Sequence, residues 1–70
     1  MEIKSTMSGT IIEILVKVGD EVKVDQELFL LESMKMEMPI QSESKGKVSK
    51  INVKEEDFVQ EGQALLELDS

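Results

Sequence analysis

The sequence contains no cysteine, histidine, arginine, tryptophan or tyrosine, and a single proline. Without cysteine there can be no disulfide, thiolate metal site or sulfur nucleophile, and the chain fits a reducing, cytoplasmic setting. Without histidine the commonest general base near neutral pH is gone. Fifteen acids remain, but they are scattered among turns and strand faces, so neither a catalytic centre nor a metal site is expected. Net charge is −7, arginine is absent and only two phenylalanines are present. Nucleic acid is thereby excluded as a partner, because binding it takes cations to displace counterions and usually arginine or aromatic rings to read bases. Long apolar runs are missing too. The longest is Leu28-Phe29-Leu30-Leu31, far short of a membrane span, and the N-terminus Met1–Ser5 lacks the pattern of a signal peptide. Met1 stands directly before the first strand, which favours a free-standing chain.

What the sequence does have is a duplication. Its 70 residues allow one small domain, residues 1–70, and a domain of this size buries only about 60% of its unfolded surface. Overlaying residues 3–33 on residues 40–70, a shift of 37, needs no gap, and 12 of the 31 pairs are identical. Among them are Ile3/Ile40, Ser5/Ser42, Gly9/Gly46, Val16/Val53, Asp20/Asp57, Leu28/Leu65, Leu31/Leu68 and Ser33/Ser70. Two copies are too few for a solenoid, but two units that each expose an apolar face can bury those faces together.

The local pattern favours strands. Residues 10–18 are rich in β-branched types, with Ile12, Ile14, Val16 and Val18 alternating against Glu13 and Lys17. Residues 28–33 and 65–69 read as apolar strands. Each half carries an acidic turn before a valine, Gly19-Asp20-Glu21-Val22 and Glu56-Asp57-Phe58-Val59. Gly9 and Gly46 are placed where a strand-to-strand turn wants a residue without a Cβ. Pro39 argues against a central ladder position. No segment has sustained helical spacing. The expected fold is all-β: a flattened barrel or sandwich of two four-stranded antiparallel sheets with an internal pseudo-two-fold repeat. The junction, residues 34–39, then forms an exposed hairpin far from the point where the two chain ends meet.

Lysine is the only cation, occurring eight times. Seven of the eight read as ordinary solvated side chains. Lys35 differs, because it lies in the stretch without a counterpart in the repeat and between two methionines, Met34 and Met36. Methionine is foreign to turns, which favour Gly, Asn, Asp, Ser and Pro. Successive strand side chains point to opposite faces, so both neighbours of Lys35 cannot be buried on one side. Soft, unbranched side chains exposed beside a lysine suit a surface gripped by several proteins in turn.

Glu32-Ser33-Met34-Lys35-Met36-Glu37 resembles the attachment motif of biotinyl domains, whose core is Met-Lys-Met or Met-Lys-Leu. The resemblance runs along the whole chain, through Val18-Gly19-Asp20-Glu21-Val22, Gly46-Lys47-Val48 and Gly62-Gln63-Ala64-Leu65-Leu66 in the family's order. It implies the hammerhead form of the fold and a monomeric carrier that catalyses nothing itself. Lys35 would receive biotin from a biotin protein ligase, with Met34 and Met36 as flanking recognition and Glu32, Ser33 and Glu37 as hairpin context. The free amine must lose its proton to attack, and the ligase would supply that activation. The implied partners are a biotin carboxylase and a carboxyltransferase or decarboxylase, between which the carrier shuttles carboxyl groups. Departures are local: where many relatives have Ala-Pro, this chain has Ser5-Thr6 and Ser42-Glu43, and Ser33 replaces a frequent alanine. The gapless repeat leaves no room for the protruding insertion of carriers from multi-subunit bacterial acetyl-CoA carboxylase. The chain is most similar to the short free-standing biotin/lipoyl attachment proteins. Lipoyl domains place their lysine at the same hairpin, usually as Asp-Lys-Ala, so lipoate is the alternative cofactor, in a lipoyl carrier domain or in a dual biotin/lipoyl attachment protein. An unmodified interaction module is the remaining alternative.

Overall fold

The computed structural model describes residues 1–69, so the repeat pair Ser33/Ser70 lies half outside the described residues. Eight strands follow one another: β1 Glu2–Lys4, β2 Gly9–Ile14, β3 Glu21–Val22, β4 Glu27–Ser33, β5 Met36–Gln41, β6 Gly46–Ile51, β7 Phe58–Val59 and β8 Ala64–Asp69. They form two four-stranded antiparallel sheets, ordered β1-β8-β6-β3 and β5-β4-β2-β7. The all-β sandwich expected from the sequence is the fold observed. The sheets are not the two halves of the repeat, however. Each takes two strands from each half, so the copies interlock rather than merely stack.

The shift of 37 carries through to the ladders. Ile3 pairs with Leu66 as Ile40 pairs with Phe29, and Thr10 pairs with Glu32 as Lys47 pairs with Asp69. Even the bulges recur, between Ile11 and Glu13 in β2 and between Val48 and Lys50 in β6. The core obeys the same rule. Its fourteen buried apolar residues are seven related pairs: Ile3/Ile40, Ile11/Val48, Val16/Val53, Val22/Val59, Leu28/Leu65, Phe29/Leu66 and Leu31/Leu68. Burying each such side chain contributes about 1.5–3 kcal/mol, so both copies are needed to close one core.

Two local expectations change. The alternation of Ile12, Ile14, Val16 and Val18 does not mark one buried face. Ile11 and Val16 are buried, whereas Ile12 and Val18 are exposed. The bulge in β2 inserts an extra residue and switches the side that follows it, and regular strand ends at Ile14. Gly9 and Gly46 open strands instead of making turns. A Cβ on Gly9 would stand 2.4 Å from the Glu32 carbonyl oxygen, and one on Gly46 would stand 2.8 Å from that of Asp69. Their small size lets the neighbouring backbone approach. The turns with positive φ lie elsewhere, at Gly19 and its counterpart Glu56, and at Asp25 and its counterpart Gly62.

Ser5 and Ser42, at the Ala-Pro places of the family pattern, are buried. Each hydroxyl donates to a carbonyl two residues on, that of Met7 or Ser44, and accepts weakly from the same residue's N–H. A hydrogen-bonded turn thus does what the missing proline ring would otherwise do.

Candidate functional site

The hairpin joining β4 to β5 is as short as an antiparallel hairpin can be. Ser33 pairs with Met36, leaving only Met34 and Lys35 in the turn. Both have positive φ, 53° and 65°. Two consecutive residues in that region are the signature of a type I′ turn, which matches strand twist and is normally built from Asn-Gly. A methionine and a lysine there carry a cost of about 1–2 kcal/mol each, because Cβ crowds the following carbonyl. The strain is held by the β4–β5 ladder below, which runs from Glu27↔Gln41 to the turn. Hairpin 34–39, as read from the sequence, is therefore a two-residue tip whose remainder, Met36–Pro39, belongs to β5. Pro39 is tolerated because β5 is an edge strand.

The turn projects its side chains into solvent. Met34 is 92% exposed and Met36 62%, Lys35 is exposed, and Met38 is half-buried further down β5. Two exposed carboxylates, Glu32 and Glu37, face one another one pair below Ser33↔Met36. The strands of this sheet contain no lysine, so Lys35 is the only cation on the sheet and its hairpin. The six residues singled out from the sequence, Glu32 to Glu37, thus form one continuous tip. The exposed amine of Lys35 suits acylation, since nothing need move for an activated acyl group to reach it.

Three neighbours of the tip, Ser8, Thr10 and Phe58, carry no local mark of it in the sequence. A shallow depression beside the tip is lined by Ser8, Thr10, Glu32, Met34, Lys35 and Phe58. Phe58, on edge strand β7 opposite Thr10, is 64% exposed. Ser8 Oγ accepts a hydrogen bond from Glu61 N–H at 3.2 Å, tying the loop after β7 to the start of β2. From the sequence Phe58 reads only as part of an acidic turn. The signal was in the duplication, where it stands opposite Glu21.

A family model described as "Biotin-requiring enzyme" matches residues 1–68. The biotin/lipoyl attachment protein of Bacillus subtilis (strain 168) is 46% identical over 68 residues, covering 97% of this chain and 93% of that protein. The biotin carboxyl carrier protein of Streptococcus mutans is 45% identical over 60 residues, 86% of this chain and 46% of that one. The dihydrolipoyllysine-residue acetyltransferase component of the pyruvate dehydrogenase complex of Azotobacter vinelandii is 44% identical over 61 residues. There the chain corresponds to only 10% of the relative. In three dimensions, the Kluyveromyces lactis urea carboxylase contains a region that superposes with a TM-score of 0.87 at 30% identity, over 94% of this chain and 6% of that one. The chain thus spans nearly all of one relative, about half of a second and a small part of the other two.

Proposed function

The chain belongs to the biotin/lipoyl attachment family, and from that premise we propose that it is a biotin carboxyl carrier modified on Lys35. The observation that carries the reading is the tip itself. Its one cation stands exposed on a two-residue turn held in left-handed geometry, with an exposed methionine on either side. When attached, biotin supplies a ureido nitrogen able to carry a carboxyl group. The residues of the chain hold and present it: Lys35 would bear the amide, and the β4–β5 ladder would anchor the arm. Met34 and Met36 would offer the ligase a soft, accommodating contact. Tethering raises the local concentration of the cofactor at two partner sites, a biotin carboxylase and a carboxyltransferase or decarboxylase.

Lipoate is the second reading, supported by the similarity to the acetyltransferase component. The residues flanking Lys35 favour biotin, since lipoyl domains usually have Asp-Lys-Ala where this chain has Met34-Lys35-Met36. The intact mass of the protein from its native host separates the two by the size of the adduct. A streptavidin gel shift that disappears in Lys35→Arg is the expected result. A lipoyl adduct, or no adduct in a ligase-competent host, would overturn the biotin assignment.

A further inference from the structure

The duplication provides an internal control for surface chemistry. Residues directly paired across neighbouring strands share a face, and the related rows occur once on each sheet. On the outer face of the sheet without Lys35, the row next to the chain ends is Glu21, Lys47 and Asp69. The next row is Lys50, Glu67 and Glu2. All six positions are charged, with cations among the acids. The related positions on the Lys35 sheet are Phe58, Thr10 and Glu32, then Glu13, Leu30 and Pro39. Three of these are apolar and none is a cation. Phe58 is 64% exposed, Pro39 is exposed and Leu30 is half-buried. Glu37 extends the first row beyond Glu32.

Fold stability does not account for this divergence. The same register tolerates a fully charged set on the other sheet, so the fold does not require Phe58, Leu30 and Pro39 on this one. We propose that the outer face of β7-β2-β4-β5 is a docking surface for a basic protein partner. Phe58 would enter an apolar recess there, and Glu13, Glu32 and Glu37 would meet lysines or arginines. Resting on the assignment of Lys35 as a biotin carrier, the partner is the biotin carboxylase that loads the arm. An enzyme that binds bicarbonate and a nucleoside triphosphate, both anions, calls for cations at its entrance, which would complement this acidic rim. The face is continuous with the tip, so docking delivers Lys35 to that entrance. A second copy of the chain is a poor occupant, because two such faces would oppose acid to acid.

The related sheet also supplies the variants. Phe58→Glu and Thr10→Lys each install the residue that the other sheet already carries at the equivalent position, so both are compatible with the fold. The dissociation constant for the host's purified biotin carboxylase is measured by fluorescence anisotropy on labelled chain. Lys35→Arg serves as the background, so that the cofactor plays no part. Phe58→Glu weakens binding about tenfold or more, as expected for a buried aromatic anchor. Thr10→Lys weakens it severalfold, and raising the salt concentration weakens the parent severalfold by screening. Glu21→Ala and Lys47→Ala, on the other sheet, stay within about twofold, as surface changes outside an interface do. Equal affinity for Phe58→Glu and its parent overturns the proposal. So does a self-associated chain in analytical ultracentrifugation that Phe58→Glu makes monomeric. Intact mass of the unmutated chain tests the biotin assignment separately: a missing adduct refutes that assignment, whereas an adduct with unaltered binding of the face variants refutes only the docking surface.

Discussion

Glu32 and Glu37 are direct cross-strand partners, two carboxylates set opposite each other immediately below the turn that carries Lys35. Like charges so placed destabilise a hairpin by about 0.2–1 kcal/mol. Glu37→Gln is therefore expected to stabilise the domain, raising its melting temperature by about 2–5 °C at low salt. The gain shrinks in concentrated salt, because both groups are exposed. A melt unaffected by the substitution at low ionic strength would show that the pair carries no repulsion.

The turn makes a second, opposite trade. Met34 has a φ of 53°, a region that asparagine occupies far more readily than methionine. Met34→Asn is expected to stabilise the fold by about 0.5–1 kcal/mol. If Met34 gives a ligase the soft contact proposed for it, the same change slows modification of Lys35. Urea unfolding reads the first effect and the rate of mass gain with a purified ligase reads the second. Loss of stability would contradict the strain assigned to the turn.

Gly9 lies against the strand that leads to the tip. Its substitution by alanine would drive a Cβ to 2.4 Å from the Glu32 carbonyl oxygen, where the equivalent change at Gly46 leaves 2.8 Å from Asp69. Gly9→Ala is expected to cost about 2–3 kcal/mol and Gly46→Ala less, an order that denaturant melts would test. In Gly9→Ala the displaced β4 backbone also shifts the amide resonances of Met34 and Lys35.

Phe29 is the largest fully buried side chain, and its counterpart in the other half is Leu66. Phe29→Ala is expected to remove about 3–5 kcal/mol. For a domain this small that approaches the whole stability, so the far-ultraviolet spectrum at 37 °C should lose its sheet signal. Phe29→Leu restores the residue type its partner already has, and is expected to retain a folded chain.

Much of the fold was legible because one short pattern is written twice. Valine, leucine and isoleucine recur at the same spacing, and that recurrence marks the core pairs directly. Interlocking of the halves was not legible, since pairing between sheets depends on register that no single strand displays. The bulge in β2 hid the true buried face, because Ile11, Ile12, Ile14 and Val16 are all apolar and composition cannot show where one residue is inserted. The tip was visible as the stretch outside the repeat. Its backbone was not, because Met-Lys carries none of the usual marks of a type I′ turn. Glu56 and Asp25 were missed as left-handed residues, although each stands opposite a glycine in the other copy.

One pairing bears on how such a unit is counted. Met1 and Leu68 exchange backbone hydrogen bonds, each 2.8 Å, as Met38 pairs with Leu31 in the other sheet. Since Met1 corresponds to Met38 and Ser70 to Ser33, only Met34, Lys35, Met36 and Glu37 have no counterpart. The rung of Met1 and Leu68 is thus the counterpart of the third rung below the Lys35 turn, Leu31 with Met38. One register, written twice in the fold, supports a presented lysine in one sheet and a plain pair of strands in the other among the described residues.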